Sequence, residues 1–215
     1  MASDPTTSSR FPGSRPAPHT PTDREPANGT GVVLGPSART DGMDERIGTS
    51  LHTGLLIAVL GVLAWATGFP ALFPSLGPSA FVLARTPNGE VSKPRRVLGA
   101  HAIGVVAGLL AYQAFASGLV VTQSVLPFST TSMLLAASGV ASIVLTVAGM
   151  LFFECSHPPA CATTLIVALG LLSTVTGGAV IVASVAVLLA TQALFLFWTE
   201  RSTALGANES GGDRS

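Results

Sequence analysis

Charge is what this chain has least of. Its 215 residues include 11 Lys and Arg and 11 Asp and Glu, 10% in all, where a soluble domain carries about 25%. A water-facing surface of ordinary make-up is therefore excluded. Between Ile47 and Thr199 only Arg85, Glu90, Lys93, Arg95, Arg96 and Glu154 are charged. The two signs cancel, so no basic footprint exists for a nucleic acid and no such partner is expected. Cysteine is nearly absent too. Cys155 and Cys161 stand alone, inside the apolar region and awkwardly spaced for a disulfide. They read as two small buried thiols. Joined with His157 as soft metal ligands they lack a fourth partner and are split by prolines, so no metal and no cofactor is expected. No apolar segment follows the start to serve as a signal peptide, and no P-loop motif is present to harness ATP.

What the chain does have is long apolar runs. Residues 50–69, 98–120, 132–153 and 177–198 each approach the ~20 residues that cross a bilayer core. Two shorter apolar pieces, Leu76–Ala84 and Thr163–Ser173, follow prolines and read as half-helices or re-entrant segments. Residues 1–46 are rich in Pro, Ser, Thr, Gly and Arg and are expected to be disordered, as is the tail 201–215. Met43, just ahead of the first span, is a candidate for the native start. The fold class is an all-α polytopic membrane protein, with its transmembrane domain at 47–200.

The chain also repeats weakly. A shift of 81 residues carries 51–70 onto 132–151, the Gly77-Pro78-Ser79-Ala80 break onto Pro158-Pro159-Ala160-Cys161, and 98–120 onto 179–201. Each repeat then holds two full spans and one proline-broken short helix. If each short piece completes a crossing, the repeats are inverted, and the N-tail, the Lys93-Pro94-Arg95-Arg96 loop and the C-tail share the cytoplasmic side, as the positive-inside bias requires. Gly99, Gly104 and Gly108 give the second span a small-residue face for close helix packing.

Chemistry is concentrated in the polar knot Glu154-Cys155-Ser156-His157-Pro158-Pro159-Ala160-Cys161-Ala162-Thr163. Two consecutive prolines cannot continue a helix, and a broken helix at membrane depth survives only beside protein or a polar cavity. Such breaks mark solute sites in transporters. Pro158, Pro159 and Pro78 are expected to open short helices. The N–H groups of Ala160, Cys161, Ala162, Ser79 and Ala80 would then point inward to hold an anion, with hydroxyls of Ser75, Ser79, Ser156, Thr163 and Thr164 beside them. His157 and His101 are expected at this site, since ionisable groups inside a membrane are functional by default. Glu154 is the coupling candidate, a carboxylate needing a proton or a histidine partner beside an anion; its ordinary reading is an exposed helix end. Helix packing and capping remain the alternative role for each of these residues.

The segment Ser156-His157-Pro158-Pro159-Ala160-Cys161-Ala162-Thr163, together with Leu76-Gly77-Pro78-Ser79-Ala80, Pro87, Lys93-Pro94-Arg95 and Gly99-Ala100-His101, resembles the HPP family of integral membrane proteins over about residues 50–200. Cys161 departs from the family's usual glycine. The resemblance implies a four-span protein, and nitrite as a substrate class, since some plastid and cyanobacterial members are associated with nitrite transport. The expected function is secondary transport of a small inorganic anion, with a proton as its possible companion. A non-transporting scaffold or sensor subunit is the alternative, and no enzyme activity is expected. Membrane lipid is an expected partner, as is a second copy of the chain, because about 150 embedded residues are few to enclose a path. The expected location is the cell membrane.

Overall fold

A computed structural model describes residues 36–123 and 126–211, with side chains for 43–123 and 126–202. Every regular element among the described residues is helical. Helix α1 covers Pro36–Thr67, α2 Leu76–Arg85, α3 Pro94–Ala111, α4 Thr130–Phe152, α5 Ala160–Ala168 and α6 Val175–Gly211. A single 3-10 turn, Glu90–Ser92, precedes α3, and a π-helical turn, Tyr112–Ala116, extends it. Four stretches are long and apolar enough to cross a membrane: Met43–Thr67, Pro94–Ala116, Thr130–Phe152 and Val175–Ser202. α2 and α5, at 10 and 9 residues, reach only about 15 Å each at 1.5 Å per residue.

The tails differ from expectation. α1 begins at Pro36 and α6 runs to Gly211, so residues 36–46 and 201–211 are helical rather than disordered. Extending an existing helix by a turn adds one hydrogen bond per residue fixed, which is far cheaper than starting one. Residues 1–35 and 212–215, the remainder of the expected tails, lie outside the described residues.

Local chemistry sets the breaks. Gly68, at φ +71°, ends α1 in the left-handed conformation that glycine adopts freely, and Pro70 and Pro74 sit in the turns that follow, with Ala71 N–H donating to Phe69 O at 2.8 Å and Leu76 N–H to Phe73 O at 3.0 Å. Pro78 sits in the first turn of α2, where a missing N–H costs nothing. Pro94 opens α3 and Pro159 caps α5 for the same reason. The second span stops at Ala116, earlier than residue 120, because the N–H of Gly118 (φ +80°) bonds to Tyr112 Oη at 3.0 Å.

Contacts at the helix ends fix the path of the chain. Arg85, at the end of α2, pairs with Glu45 near the start of α1. The segment from Gly68 to Arg85 therefore returns to the end from which α1 set out. Lys93 and Arg96 pair with Glu90 at that same end. At the opposite end the Val121 N–H bonds to Leu169 O at 3.0 Å, so α5 runs away from the charged end. α6 comes back: Gln192 Nε2 donates to Leu83 O at 3.2 Å and Phe195 stacks on His52 at 4.0 Å. Each half thus runs long helix, short helix, long helix, with α3 starting at Pro94 and α6 at Val175, 81 residues apart.

The core lies between α1, α2, α3, α5 and α6, around fully buried Leu56, Leu60, Leu76, Val97, Val167 and Ile181. α3 and α5 approach closely. A Cβ on Gly104 would stand 2.7 Å from Thr164 Oγ1, and one on Gly108 would stand 2.8 Å from Val167 Cβ and 2.9 Å from Thr164 O. Large apolar side chains such as Trp65, Val106, Phe152 and Leu194 cover the outside, a surface suited to lipid and not to water.

Candidate functional site

α2 and α5 are antiparallel half-length helices, and their first turns meet in the middle of the bundle. Ser75, the N-cap of α2, lies 2.9 Å (Oγ to Oγ1) from Thr163 in the first turn of α5. The turns at Pro70 and Pro74 deliver the first terminus, and the double proline delivers the second. Between this meeting point and the charged end runs a continuous polar chain.

Its residues are Ser75, Ser79, His101, His157 and Thr163, each 0% exposed. Thr163 Oγ1 is 2.7 Å from His101 Nδ1. His101 Nε2 is 3.1 Å from Ser79 Oγ, and Ser79 Oγ is 3.2 Å from His157 Nε2. His157 Nδ1 lies 2.9 Å from the carbonyl of Val91. The two imidazole centroids are 5.5 Å apart. A carbonyl can only accept, so His157 Nδ1 carries a hydrogen. Pro158 disfavours helical geometry at His157, which leaves that ring free of a helix ladder and turned toward the Glu90–Ser92 turn. A second hydroxyl pair, Thr146 and Thr164 at 2.8 Å, ties α4 to α5, and Ser138 Oγ donates to Ala168 O at 2.7 Å.

Of the residues expected at the site, His157, His101, Ser75, Ser79 and Thr163 come together. The others do not. The N–H groups of Ala160, Cys161 and Ala162 are not free: they donate to the carbonyls of His157, Pro158 and Pro159 at 3.0, 3.0 and 3.1 Å. The prolines lack donors but keep their carbonyls, and the tight turn they impose places these two and the carbonyl of His157 under the next three donors. Ser79 N–H bonds to Ser75 O at 3.4 Å. Ala80 is buried in the apolar core, and Ala160 and Cys161 pack with Ala100 and Met150. Pro158 is exposed, while Pro159 and Ala162 are half-buried. The polar groups that converge are therefore side chains rather than peptide nitrogens.

Glu154 is exposed and stands apart from the chain of imidazoles and hydroxyls. At φ +52° it takes the left-handed position that closes α4, where the next N–H, of Cys155, reaches Met150 O at 3.0 Å. It stands at an exposed helix end. Sequence reasoning had no signal for the Val91 carbonyl, a backbone group. It also passed over Thr146, whose hydroxyl sits alone in an apolar run. Among the described residues no three His, Cys, Asp or Glu side chains gather as a metal set.

Outside the bundle, Glu90 accepts from Lys93, whose hydrogen bond holds its carboxyl below the usual range, helped by the charges of Lys93 and Arg96. This cluster neutralises Glu90 where it borders the turn that carries Val91.

The HPP, transmembrane region, family matches residues 40–203. No curated protein and no solved structure matches the chain.

Proposed function

The chain belongs to the HPP transmembrane family and is an integral membrane protein, and on that premise we propose that it is a secondary transporter of a small inorganic anion, nitrite being the first candidate. The observation that carries this reading is the meeting of two broken helices, first turn against first turn, around five fully buried polar side chains. Burying such groups is costly, and leaving any one unpaired would cost about 1–3 kcal/mol. Apolar side chains would fill the same volume at less risk, so the polar chain suits handling of a polar solute. Hydroxyls and imidazole donors, with no fixed cation among them, suit weak and reversible anion binding, which transport requires. In this reading His101, His157, Ser79 and Thr163 contact the anion, and the halves related by the 81-residue shift are inverted repeats that move against one another.

The charged end, with Arg85, Lys93, Arg95 and Arg96, is proposed as the cytoplasmic side of the cell membrane. Homo-oligomer formation belongs to the same reading, and multi-angle light scattering in mild detergent tests it: a mass of one chain in a preparation that still transports removes it.

The test of transport is uptake into proteoliposomes from a panel of nitrite, nitrate, chloride and bicarbonate. Parent protein is expected to take up at least one anion, and His157→Ala to reduce that uptake. A second reading, a structural lock between halves, is favoured by one observation: the donors of Ala160, Cys161 and Ala162 are already satisfied. A parent protein that carries none of the four anions, in vesicles where it is folded, would establish the lock and remove transport.

A further inference from the structure

We propose that a crevice between α1 and α2, at the charged end of the bundle, binds one anionic phospholipid by its phosphodiester headgroup. The crevice is lined by none of the buried imidazoles and hydroxyls described above. It rests on the chain being a membrane protein, not on what the chain carries.

The crevice has a volume of about 390 Å³ and is lined by Glu45, Arg46, Thr49, Ser50, Phe81 and Arg85. That volume falls in the range of small-molecule sites, about 300–1,000 Å³. Its charges are two cations and one anion. Arg85 pairs with Glu45 through Nη1, which holds the guanidinium at the wall and leaves its other N–H donors for a second oxyanion. As a brace between helices the pair is weak, since both side chains are exposed and such pairs contribute little. Arg46 is exposed and takes part in none of the ion pairs among the described residues. The sum is one positive charge, the complement of one phosphodiester. A guanidinium fork can also meet two phosphate oxygens at once, where an ammonium presents only a point charge.

The walls change character with depth in the order that a phospholipid does. α1 leads inward from the charged end and α2 leads back out to it, so Thr49, Ser50 and Phe81 lie deeper than Arg46 and Arg85. The descent is four residues on each helix, Arg46 to Ser50 and Arg85 to Phe81, or about 6 Å at 1.5 Å per residue. The headgroup layer on one side of a bilayer is about 5–7.5 Å thick, half the difference between full thickness and hydrocarbon core. Guanidinium groups therefore meet phosphate, and the Thr49 and Ser50 hydroxyls meet the glycerol level. The exposed ring of Phe81 meets the start of an acyl chain. One turn below Ser50 on the same face of α1 a Cβ on Gly54 would touch nothing, and Leu51 and Leu55 beside it are exposed. The acyl chain thus has an apolar surface to follow.

Free phosphate could use the same two arginines but would gain nothing from Phe81 or from the face of Gly54, which is why the occupant is a lipid. α1 also has the most to gain from one. The most apolar stretch of its span is 11% buried, against 50%, 33% and 33% for the other three. A headgroup held by Arg46 of α1 and Arg85 of α2 bridges the two helices. Anionic lipids populate the cytoplasmic leaflet, the side proposed above for this end. The connections at the opposite end contain no Lys or Arg and offer no counterpart.

Native mass spectrometry of the full chain, delipidated in mild detergent, tests the site. The chain is titrated with phosphatidylglycerol, or with phosphatidylcholine of the same acyl chains. One phosphatidylglycerol is expected to stay bound under conditions that strip phosphatidylcholine. Arg46→Gln is expected to weaken that binding about fivefold, the worth of one arginine beside an anionic surface. Arg95→Gln is the control, because Arg95 is equally exposed, carries the same charge and lies outside the crevice; its loss should leave binding unchanged. Phe81→Ala is expected to weaken binding through the acyl chain. All three variants replace exposed side chains, so the fold should survive them. Equal retention of the two lipids, or equal losses from Arg46→Gln and Arg95→Gln, would show diffuse attraction alone and overturn the site. Binding of radiolabelled inorganic phosphate to the delipidated chain, abolished by Arg46→Gln, would assign the arginines to a soluble anion and overturn the lipid.

Discussion

A single backbone angle separates two readings of one carboxylate. Glu154 adopts φ +52° at the close of α4, a left-handed conformation that costs a residue with a Cβ about 1–2 kcal/mol. Its side chain is exposed and so has no packing to lose. Glu154→Gly is therefore expected to raise stability by about 1 kcal/mol, seen as a higher unfolding midpoint in detergent, with anion uptake unchanged. A loss of uptake would return Glu154 to the role of coupling residue. Thr163→Val makes the opposite case, because it keeps the shape but strands His101 Nδ1 and Ser75. A loss of about 1–3 kcal/mol is expected, read by the same unfolding assay. At this scale the sequence was legible where chemistry sits in side chains: His157 and Ser79 beside prolines, and His101 within an apolar span, stood out against their surroundings. It was not legible where backbone decides. That Ala160, Cys161 and Ala162 would find the carbonyls of His157, Pro158 and Pro159 depends on the turn angles at the double proline, which residue identity alone leaves open.

Among the elements, the contact of α3 with α5 positions the site, because it sets His101 against Thr163. Gly104 and Gly108 allow that contact, and the distances give graded expectations. Gly108→Ala places a methyl 2.9 Å from a backbone oxygen and 2.8 Å from Val167 Cβ, neither of which can move aside cheaply. It should destabilise by about 1–3 kcal/mol and disturb the pairing of His101. Gly99→Ala meets only Cys155, at 3.6 Å, and should be tolerated within about 0.5 kcal/mol. Equal effects in a thermal-shift comparison of the two variants would show that helix approach is not the constraint. The same glycines were visible in the sequence as a small-residue stripe, though which helix they faced was not. The turn Glu90–Ser92 gives a pH expectation. Because the folded carboxyl of Glu90 is lowered, its contribution is present above the ordinary carboxylate range and fades as pH falls through the lowered value. Hydrogen exchange at Ser92 and Lys93 should quicken over that acidic interval, and less so in high salt, since exposed pairs are screened.

For the molecule as a whole, the break positions were readable from prolines, while the length of α1 and α6 was not, because polar residues at a helix end give no periodic apolar signal. The direction of α2 and α5 came from tertiary contacts, chiefly Arg85 with Glu45 and Val121 with Leu169. It follows that cysteines placed at exposed Asn88 and Gln123 should react with an impermeant thiol reagent from opposite sides of the membrane. Labelling of both from one side would refute the path. The segregation of charge has a consequence for biogenesis. The connections at the uncharged end, residues 68–75, 117–129 and 169–174, contain no Asp, Glu, Lys or Arg. During synthesis the insertion machinery would have no ionised side chain to drag through the hydrocarbon, sparing about 2.5–3.5 kcal/mol for each one avoided. The nascent chain would then be held in one orientation by what stays behind.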